Sequence, residues 1–314
     1  MSSGWAAGLS SRFVDEYRPW LEMLEAAGPN EPGIPLPEPA ELPAIFERLA
    51  IDQEDATEIV AGWPSPATSP DVWWLLEHSY HALVKDMGGI EPLRWPNLPP
   101  ALGATGRFFY AYLFLAALGD VRAFHLRRSI PDEVSWTTLA DLGRNLKRDR
   151  LLLGDGGLRT SAWLSLHFRG VIYALGRLQF NLSRFQGSPA LGIHIPETGP
   201  LSPNACDASL RWAREFFPAH FPETPWRVGT CYSWLLDDQL AEYLDESSNI
   251  IRFQRRFRIV GEGGDGDADI LRFVFKRIAP DLEELPQRTT LERAVVTHLR
   301  AGKHWRSRTG WLPL

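Results

Sequence analysis

The sequence predicts an α+β protein in which an all-α N-terminal domain precedes an α/β domain with a mixed sheet, and three observations carry that expectation. A length of 314 residues divides into about two domains of ~150 residues each. In the first half, apolar residues recur at three- and four-residue intervals between proline-rich connectors. After Leu158 the pattern changes to strands that alternate with helices, so the expected division is 1–157 and 158–314.

The first helix is expected from Ser10 or Ser11, with Phe13, Tyr17, Trp20, Leu21 and Leu24 on one stripe and Gly28 as its stop. A linker containing Pro29, Pro32, Pro35, Pro37 and Pro39 follows. Shorter helices are expected at Pro43–Leu49 and Glu54–Ala61, and Ser69 with Pro70 reads as N-cap and N1 of a helix through Val72–Met87. Beyond a second proline connector, Gly88–Pro100, the apolar stretch Arg107–Leu118, then Asp120–Leu126 and Thr137–Leu146, complete the helical domain.

In the second half a helix at Ser161–Phe168 leads to Arg177–Arg184, where Leu178, Phe180 and Leu182 alternate with Gln179, Asn181 and Ser183 as in a half-buried strand. A turn at Gln186–Pro189 makes Leu191–Ile195 the second strand of a hairpin. Pro196 ends that strand, and Ser202 and Pro203 open a helix carrying Ala205, Ala208, Trp212, Ala213, Phe216 and Phe217. A strand at Arg227–Leu236 and helices at Asp238–Leu244, Ala268–Ile278 and Leu291–Ala301 follow, with Asn249–Arg255 readable as helix or strand and Arg306–Leu312 as an edge strand.

Composition narrows the function classes. With 44% hydrophobic and 23% charged residues and a mean hydropathy of −0.20, the chain reads as folded and water-soluble. A net charge of −6 and a pI near 5.8 argue against a nucleic-acid partner, because binding to phosphates calls for excess positive charge. Met1–Phe13 lacks the basic and apolar regions of a secretory signal, and the longest apolar run, Phe108–Leu118, is about half of a bilayer span. Cys206 and Cys231 cannot build a disulfide framework or a four-cysteine zinc site, so a cytoplasmic, reducing setting is expected. The 13 tryptophans point to cores or pockets lined by large flat groups.

Several motif matches fail on physical grounds. Gly261, Gly263 and Gly266 fit G-x-G-x-x-G, but Glu262, Asp265, Asp267 and Asp269 would repel a pyrophosphate, leaving a solvated connector. The same aspartates begin like a calcium loop, yet Ile270 replaces the turn glycine and Lys276 the bidentate glutamate. His78 and His81 lie one helical turn apart without further ligands, which favours a partly exposed helix face over a metal site. Cys231, Tyr232 and Ser233 lack a nucleophile elbow, which leaves Cys231 a packing role. His194 stands apart: it sits on the polar face of a strand two residues before the chain leaves the sheet, beside a coming helix N-terminus. A neutral imidazole there can accept a proton near neutral pH, as amine transfer or hydrolysis requires.

LGIHIPETGPLSPNACDASL at Leu191–Leu210, CYSWLLDDQLAEYL at Cys231–Leu244 and SNIIRFQRRF at Ser248–Phe257 resemble the actinobacterial acyltransferases with a helical N-acyltransferase domain ahead of a GNAT-like domain. TLADLGR at Thr138–Arg144 and WLSLHFRGVIYALGRLQF at Trp163–Phe180 are similar to earlier blocks of that family, and the likeness runs from near Trp20 over most of the chain. The best-understood members are glycopeptide N-acyltransferases of the teicoplanin type, which transfer a fatty acyl group from acyl-CoA to the 2-amino group of a glucosamine. The resemblance implies a GNAT-like fold for 158–314, His194 as general base, Trp163 near the acyl or sugar group, and a CoA-facing loop before Pro203. Acyl-CoA would be the co-substrate, an amino sugar or glycopeptide the acceptor, and no metal would be needed.

Direct attack by the amine requires a base and an oxyanion site but no enzyme nucleophile. His194 supplies the base, and main-chain N–H groups near Gly192 and His194 would hold the oxyanion if the strand splays as in GNAT domains. The sequence departs from the GNAT pyrophosphate loop at Glu197–Leu201, and Pro200 and Pro203 remove two N–H donors. CoA recognition therefore falls to Gly199, Leu201, Ser202 and Asn204. Tyr232 is the remaining candidate for protonating the leaving thiolate, and Arg252, Arg255, Arg256 and Arg258 read either as phosphate ligands or as a solvated face. Two rivals stay open: a transferase for another small amine, and a non-catalytic aromatic-rich module that binds glycans or other ligands.

Overall fold

The computed structural model describes residues 11–28 and 33–314, so Ser10, Pro29 and Pro32 lie outside the described residues. The chain divides into two compact units, Met1–Val171 and Ile172–Leu314. The N-terminal unit is helical. In α1 (Ser11–Ala27), Phe13, Trp20, Leu21 and Leu24 are buried on one stripe, as their spacing predicts. The helix bends at Tyr17 (φ −112°, ψ 18°), just ahead of Pro19, whose ring cannot donate to the preceding turn. Next come α2 (Leu42–Arg48), α3 (Gln53–Ala61) and α4 (Pro70–Lys85). Asp52 caps α3 by accepting from the Asp55 N–H at 3.1 Å, and Pro70 opens α4 after Ser69.

The apolar stretch expected at Arg107–Leu118 breaks at Phe108 between α5 (Gly103–Arg107) and α6 (Phe109–Ala116), and the helix expected at Asp120–Leu126 is α7 (Leu118–Arg127). All of α6 is buried, which makes it the centre of the unit's core and explains why it is hydrophobic on every side. By length and composition alone the stretch Pro100–Arg127 is apolar enough to cross a bilayer, but 67% of its most apolar window is buried within the protein. In place of the expected Thr137–Leu146 helix there are two, α8 (Asp132–Leu139) and α9 (Asp141–Leu153), and Gly154 at φ 80° closes the second. Then α10 (Ser161–Phe168) packs against both. That packing carries the N-terminal unit on to Val171, beyond the change of pattern at Leu158.

The C-terminal unit is a six-stranded sheet in the order β1-β2-β3-β4-β6-β5. Its first strand, β1 (Ile172–Leu175), was not anticipated: all four residues are buried, so no alternation separates them from the apolar end of α10. A turn with Gly176 at φ 74° leads to β2 (Leu178–Phe185). Gln186 (φ 50°) and Gly187 (φ 81°) then make the two-residue link to β3 (Ser188–His194), matching the primed turns that hairpin twist favours. The hairpin is as expected, except that Ser188 and Pro189 belong to the strand and β2 is not half-buried. Gln179 (2% exposed) and Asn181 (8%) are covered as well as the apolar face.

From β3 the chain passes through α11 (Pro203–His220) to β4 (Val228–Ser233), which runs parallel to β3. Phe216 and Phe217 of α11 and Phe221 just after it meet Tyr173 at ring distances of 5.0, 6.1 and 5.6 Å, so this helix covers the face that also carries Phe180 and Ile193. The remainder is α12 (Asn249–Gln254), β5 (Arg258–Asp265), α13 (Asp267–Phe275), α14 (Thr290–Arg300) and β6 (Arg306–Pro313). A capping box of Thr289 and Glu292 starts α14.

Three expectations need correction. The predicted edge strand, β6, lies between β4 and β5, because both find antiparallel partners along it. The glycine-rich stretch read as a connector is the edge strand β5, with a register shift between Val260 and Gly264. The helix expected at Asp238–Leu244 is a short 3-10 turn, Asp238–Glu242, following another at Trp234–Leu236.

Arg169 ties the end of α10 to the connector after α4. Its buried guanidinium donates to the Asp86 and Glu91 carbonyl oxygens and to the Asp86 carboxylate. Replacing it by methionine leaves these acceptors without their donor. Arg169→Met should therefore cost roughly 2–4 kcal/mol, read as a lower urea midpoint for the N-terminal unit.

Candidate active site

The one parallel strand pair among the described residues is also the shortest ladder. Pairing between β3 and β4 covers Leu191 with Gly229 and Gly192 with Thr230, and ends there although β3 continues to His194 and β4 to Ser233. The β4-facing edge of β3 beyond Gly192 thus has no strand partner, and backbone groups in that position call for another. Across the other edge, Asn181 of β2 lies opposite Gly192 and Gln179 opposite His194. Since Phe180 and Ile193 point to α11, residues 179, 181, 192 and 194 share the opposite face.

His194 is half-buried, and its Nε2 is 2.7 Å from Asn181 Oδ1. Asn181 reaches it by crossing in front of Gly192. A Cβ at position 192 would lie 2.0 Å from Asn181 Oδ1, so a side chain there would push the amide off the ring. Asn181 was legible only as an alternating polar residue of a strand; its pairing opposite Gly192 is the signal that singles it out.

The loop after β3 is pinned from two sides. Arg177 donates to the carbonyl oxygens of Pro196 (2.8 Å) and Pro200 (3.1 Å), and Lys276 pairs with Glu197. Of the four residues assigned to CoA, Gly199 and Asn204 are exposed and Ser202 is half-buried. Leu201 is buried in the core, which leaves its main chain to meet a ligand. Ser202 is the N-cap residue of α11 but makes no side-chain capping bond. Arg256 lies beside that first turn, donating to Pro203 O at 3.1 Å and to Asp207 Oδ1 at 2.8 Å.

Two other arginines of that run go elsewhere. Arg255 pairs with Glu246 at 2.9 Å and Arg258 lies 5.1 Å above the Trp311 ring, so they do not form one phosphate cluster. Tyr232 is 61% exposed, and its hydroxyl lies where a Cβ on Gly264 would be 2.8 Å away. Its side chain therefore reaches across β6 toward β5, on the side of β4 away from β3. Cys231 is buried, which pushes its thiol up to about 12; burial raises Cys206 also, and both suit packing better than nucleophilic attack.

Within the N-terminal unit, Trp163 and His167 of α10 converge on the buried Asp141. Trp163 Nε1 donates to Oδ2 at 2.9 Å, His167 Nε2 lies 3.1 Å from the same oxygen, and Arg144 Nε donates to Oδ1 at 2.9 Å. Burial alone would raise the Asp141 carboxyl, but His167, Arg144 and the Trp163 bond outweigh it and hold the group far below the carboxylate range. Beside this cluster, Ser161 and Ala162 line a hollow of about 460 Å³ with Tyr17, Trp20, Arg94 and Trp95, which the sequence did not reveal. Burial pushes His125 down to about 3, and its Nδ1 lies 2.7 Å from Ser135 Oγ in a structural contact. His78 is buried rather than partly exposed, stacked on Trp74 at 3.9 Å. Among the described residues no group of three or more His, Cys, Asp or Glu is placed to hold a metal ion.

A helix crossing between parallel strands and a ladder that opens at its end fit the GNAT-type acyltransferase that the sequence resemblance implies. The comparisons agree. The family described as N-acyltransferase N-terminal domain matches residues 40–170, and that described as GNAT-like C-terminal domain matches 172–312. Among solved structures, an acyltransferase in complex with decanoyl-CoA and teicoplanin is 46% identical, with 98% of this chain and 97% of that one covered and a TM-score of 0.92. An acyltransferase with CoA and 10C-teicoplanin is 45% identical over the same shares of both chains, also at a TM-score of 0.92. A mutant acyltransferase holding octanoyl-CoA is likewise 45% identical, again at 98% and 97% coverage and a TM-score of 0.92. No curated protein sequence matched. The chain belongs to this family of acyltransferases, built from an N-acyltransferase N-terminal domain and a GNAT-like C-terminal domain.

Removing the Asp141 charge tests the anchor of Trp163. Asp141→Asn should destabilise the N-terminal unit by about 3 kcal/mol at pH 7, because Arg144 and the N–H donors around this buried carboxylate lose their counter-charge. The folded-state pKa lies below the unfolded value of about 3.9, so this stabilisation is complete at neutral pH and lost as pH falls from there toward the folded value. Urea unfolding at pH 7 and pH 3 should show the gap between wild type and Asp141→Asn narrowing in acid.

Proposed function

We propose that this acyltransferase moves a fatty acyl group from acyl-CoA to the 2-amino group of a glucosamine carried by a glycopeptide antibiotic. The observation that carries the reading is the opening of the β3–β4 ladder beside His194, in a chain 46% identical to an acyltransferase crystallised with decanoyl-CoA and teicoplanin. Acyl-CoA is the donor. Its amide-bearing arm suits the edge of β3 that β4 leaves beyond Gly192, where an extended chain can continue the sheet. Its phosphates suit the first turn of α11, which has no side-chain cap from Ser202, is open at Gly199 and Asn204, and has Arg256 alongside.

His194 acts as general base. The amine nitrogen attacks the thioester carbon with its lone pair, and the C=O π pair moves onto oxygen, where main-chain N–H groups around Gly192 and His194 stabilise it. The imidazole takes the proton from the attacking nitrogen. When the adduct collapses, C=O re-forms, the C–S bond breaks and its electron pair leaves on the CoA thiolate. That thiolate then takes up a proton from the imidazolium or from water. No acyl-enzyme is required, which fits the two buried, high-pKa cysteines. Those free cysteines also suit a cytoplasmic, reducing setting.

Incubation with decanoyl-CoA and a glucosaminyl glycopeptide should add the mass of one decanoyl group to the acceptor, with release of one free thiol. His194→Ala should lower kcat/KM by roughly 10²–10⁴-fold, the range of a general base. Absence of acyl transfer to the glycopeptide and to a panel of simpler amino sugars would reject the reading.

A further inference from the structure

The orientation of the Asn181 amide is set by its own neighbour. Nδ2 donates to the Leu182 carbonyl oxygen at 2.8 Å, and an amide nitrogen has no lone pair with which to accept. Oδ1 is therefore the atom that meets His194 Nε2 at 2.7 Å. An amide oxygen can only accept, so the ring must donate to it. A neutral His194 then carries its proton on Nε2 and its lone pair on Nδ1.

We propose that Asn181 is a positioning residue that fixes the His194 tautomer and makes Nδ1 the nitrogen that receives the amine proton, an inference that rests on His194 being the general base. Gly192 completes the device. Standing directly opposite Asn181, it offers only backbone, and a Cβ would lie 2.0 Å from Oδ1 and 3.3 Å from Nε2. The amide can thus pass over residue 192 to its diagonal neighbour. Asn181 is buried, so water does not compete for Oδ1. As the C–N bond forms, the N–H electron pair stays on nitrogen and the proton passes to Nδ1. The ring becomes imidazolium, and its Nε2–H bond to Oδ1 becomes charge-assisted and stronger. One contact therefore selects the tautomer at rest and steadies the ring once it is charged, without adding a charge of its own.

The test uses the full-length chain with ¹⁵N-labelled histidine and steady-state kinetics with decanoyl-CoA. In the wild type, the His194 ring nitrogens should show the Nε2–H tautomer, a measurement that needs no variant. Asn181→Leu, close in size but without an acceptor, should lose that preference. Its kcat should fall about 10- to 100-fold, less than loss of the base itself, while KM for decanoyl-CoA stays within about 2-fold. Asn181→Asp keeps an acceptor oxygen and should retain the tautomer and most of kcat. An Nδ1–H tautomer in the wild type, or a folded Asn181→Leu with unchanged kcat, overturns the proposal. The two readings separate cleanly. If His194→Ala is fully active the base assignment itself falls, whereas an inactive His194→Ala beside a fully active Asn181→Leu removes only the role of Asn181.

Discussion

Strand pairing consumes backbone hydrogen-bonding groups in matched pairs, and between β3 and β4 that matching stops inside two continuing strands. Beyond Gly192 and Thr230 both β3 and β4 run on without each other. The proposed site follows from this stop: a strand edge that β4 no longer covers, a histidine on the rim, and a helix N-terminus a short loop away. Each strand carries a glycine within this short paired stretch, Gly192 on β3 and Gly229 on β4, each for its own reason. At Gly192 a Cβ would meet Asn181 Oδ1, and at Gly229 it would lie 2.7 Å from Ile193 Cδ1. One glycine keeps the polar face open for the amide that holds His194; the other lets the apolar face close under α11.

The N-terminal unit is organised by buried charge. Asp141 and Asp55 are both removed from water, yet their carboxyls move in opposite directions. Asp141 has several partners to itself, among them His167, Arg144 and Trp163, and stays ionised. For Asp55 burial is the largest effect and raises the carboxyl. Arg150 opposes it, but that guanidinium also serves Glu54 and Glu58, and Asp52 and Glu58 add like charge nearby. The contrast is one of supply: a buried carboxylate is stable in its charged form when the donors around it outnumber the acids that share them.

Elements marked by local chemistry were legible in the sequence. Ser202 with Pro203 before α11 and Gln186 with Gly187 in the hairpin act through neighbouring residues alone. His194 was legible for the same reason, since alternation along one strand shows which face it occupies and Pro196 shows where the strand ends. Less local features were missed. Without alternation, β1 merges with the apolar end of α10. The four arginines near residue 255 look like a cluster in one dimension, but the turn from α12 into β5 sends Arg255, Arg256 and Arg258 to Glu246, Asp207 and Trp311.

By itself the sequence determined the two-part architecture, the all-α and α/β characters of the parts, the hairpin, the starts of α4 and α11 and the family, because each is written in short-range periodicity or in blocks of residues. Tertiary structure alone decided that β6 is interior, that Tyr232 leans toward β5, and that Asn181 faces Gly192 and reaches His194. Those facts depend on which strands become neighbours and in what register. Pairing energy summed over distant segments makes that choice, and a shift of a single residue would have sent the same side chains to the other face.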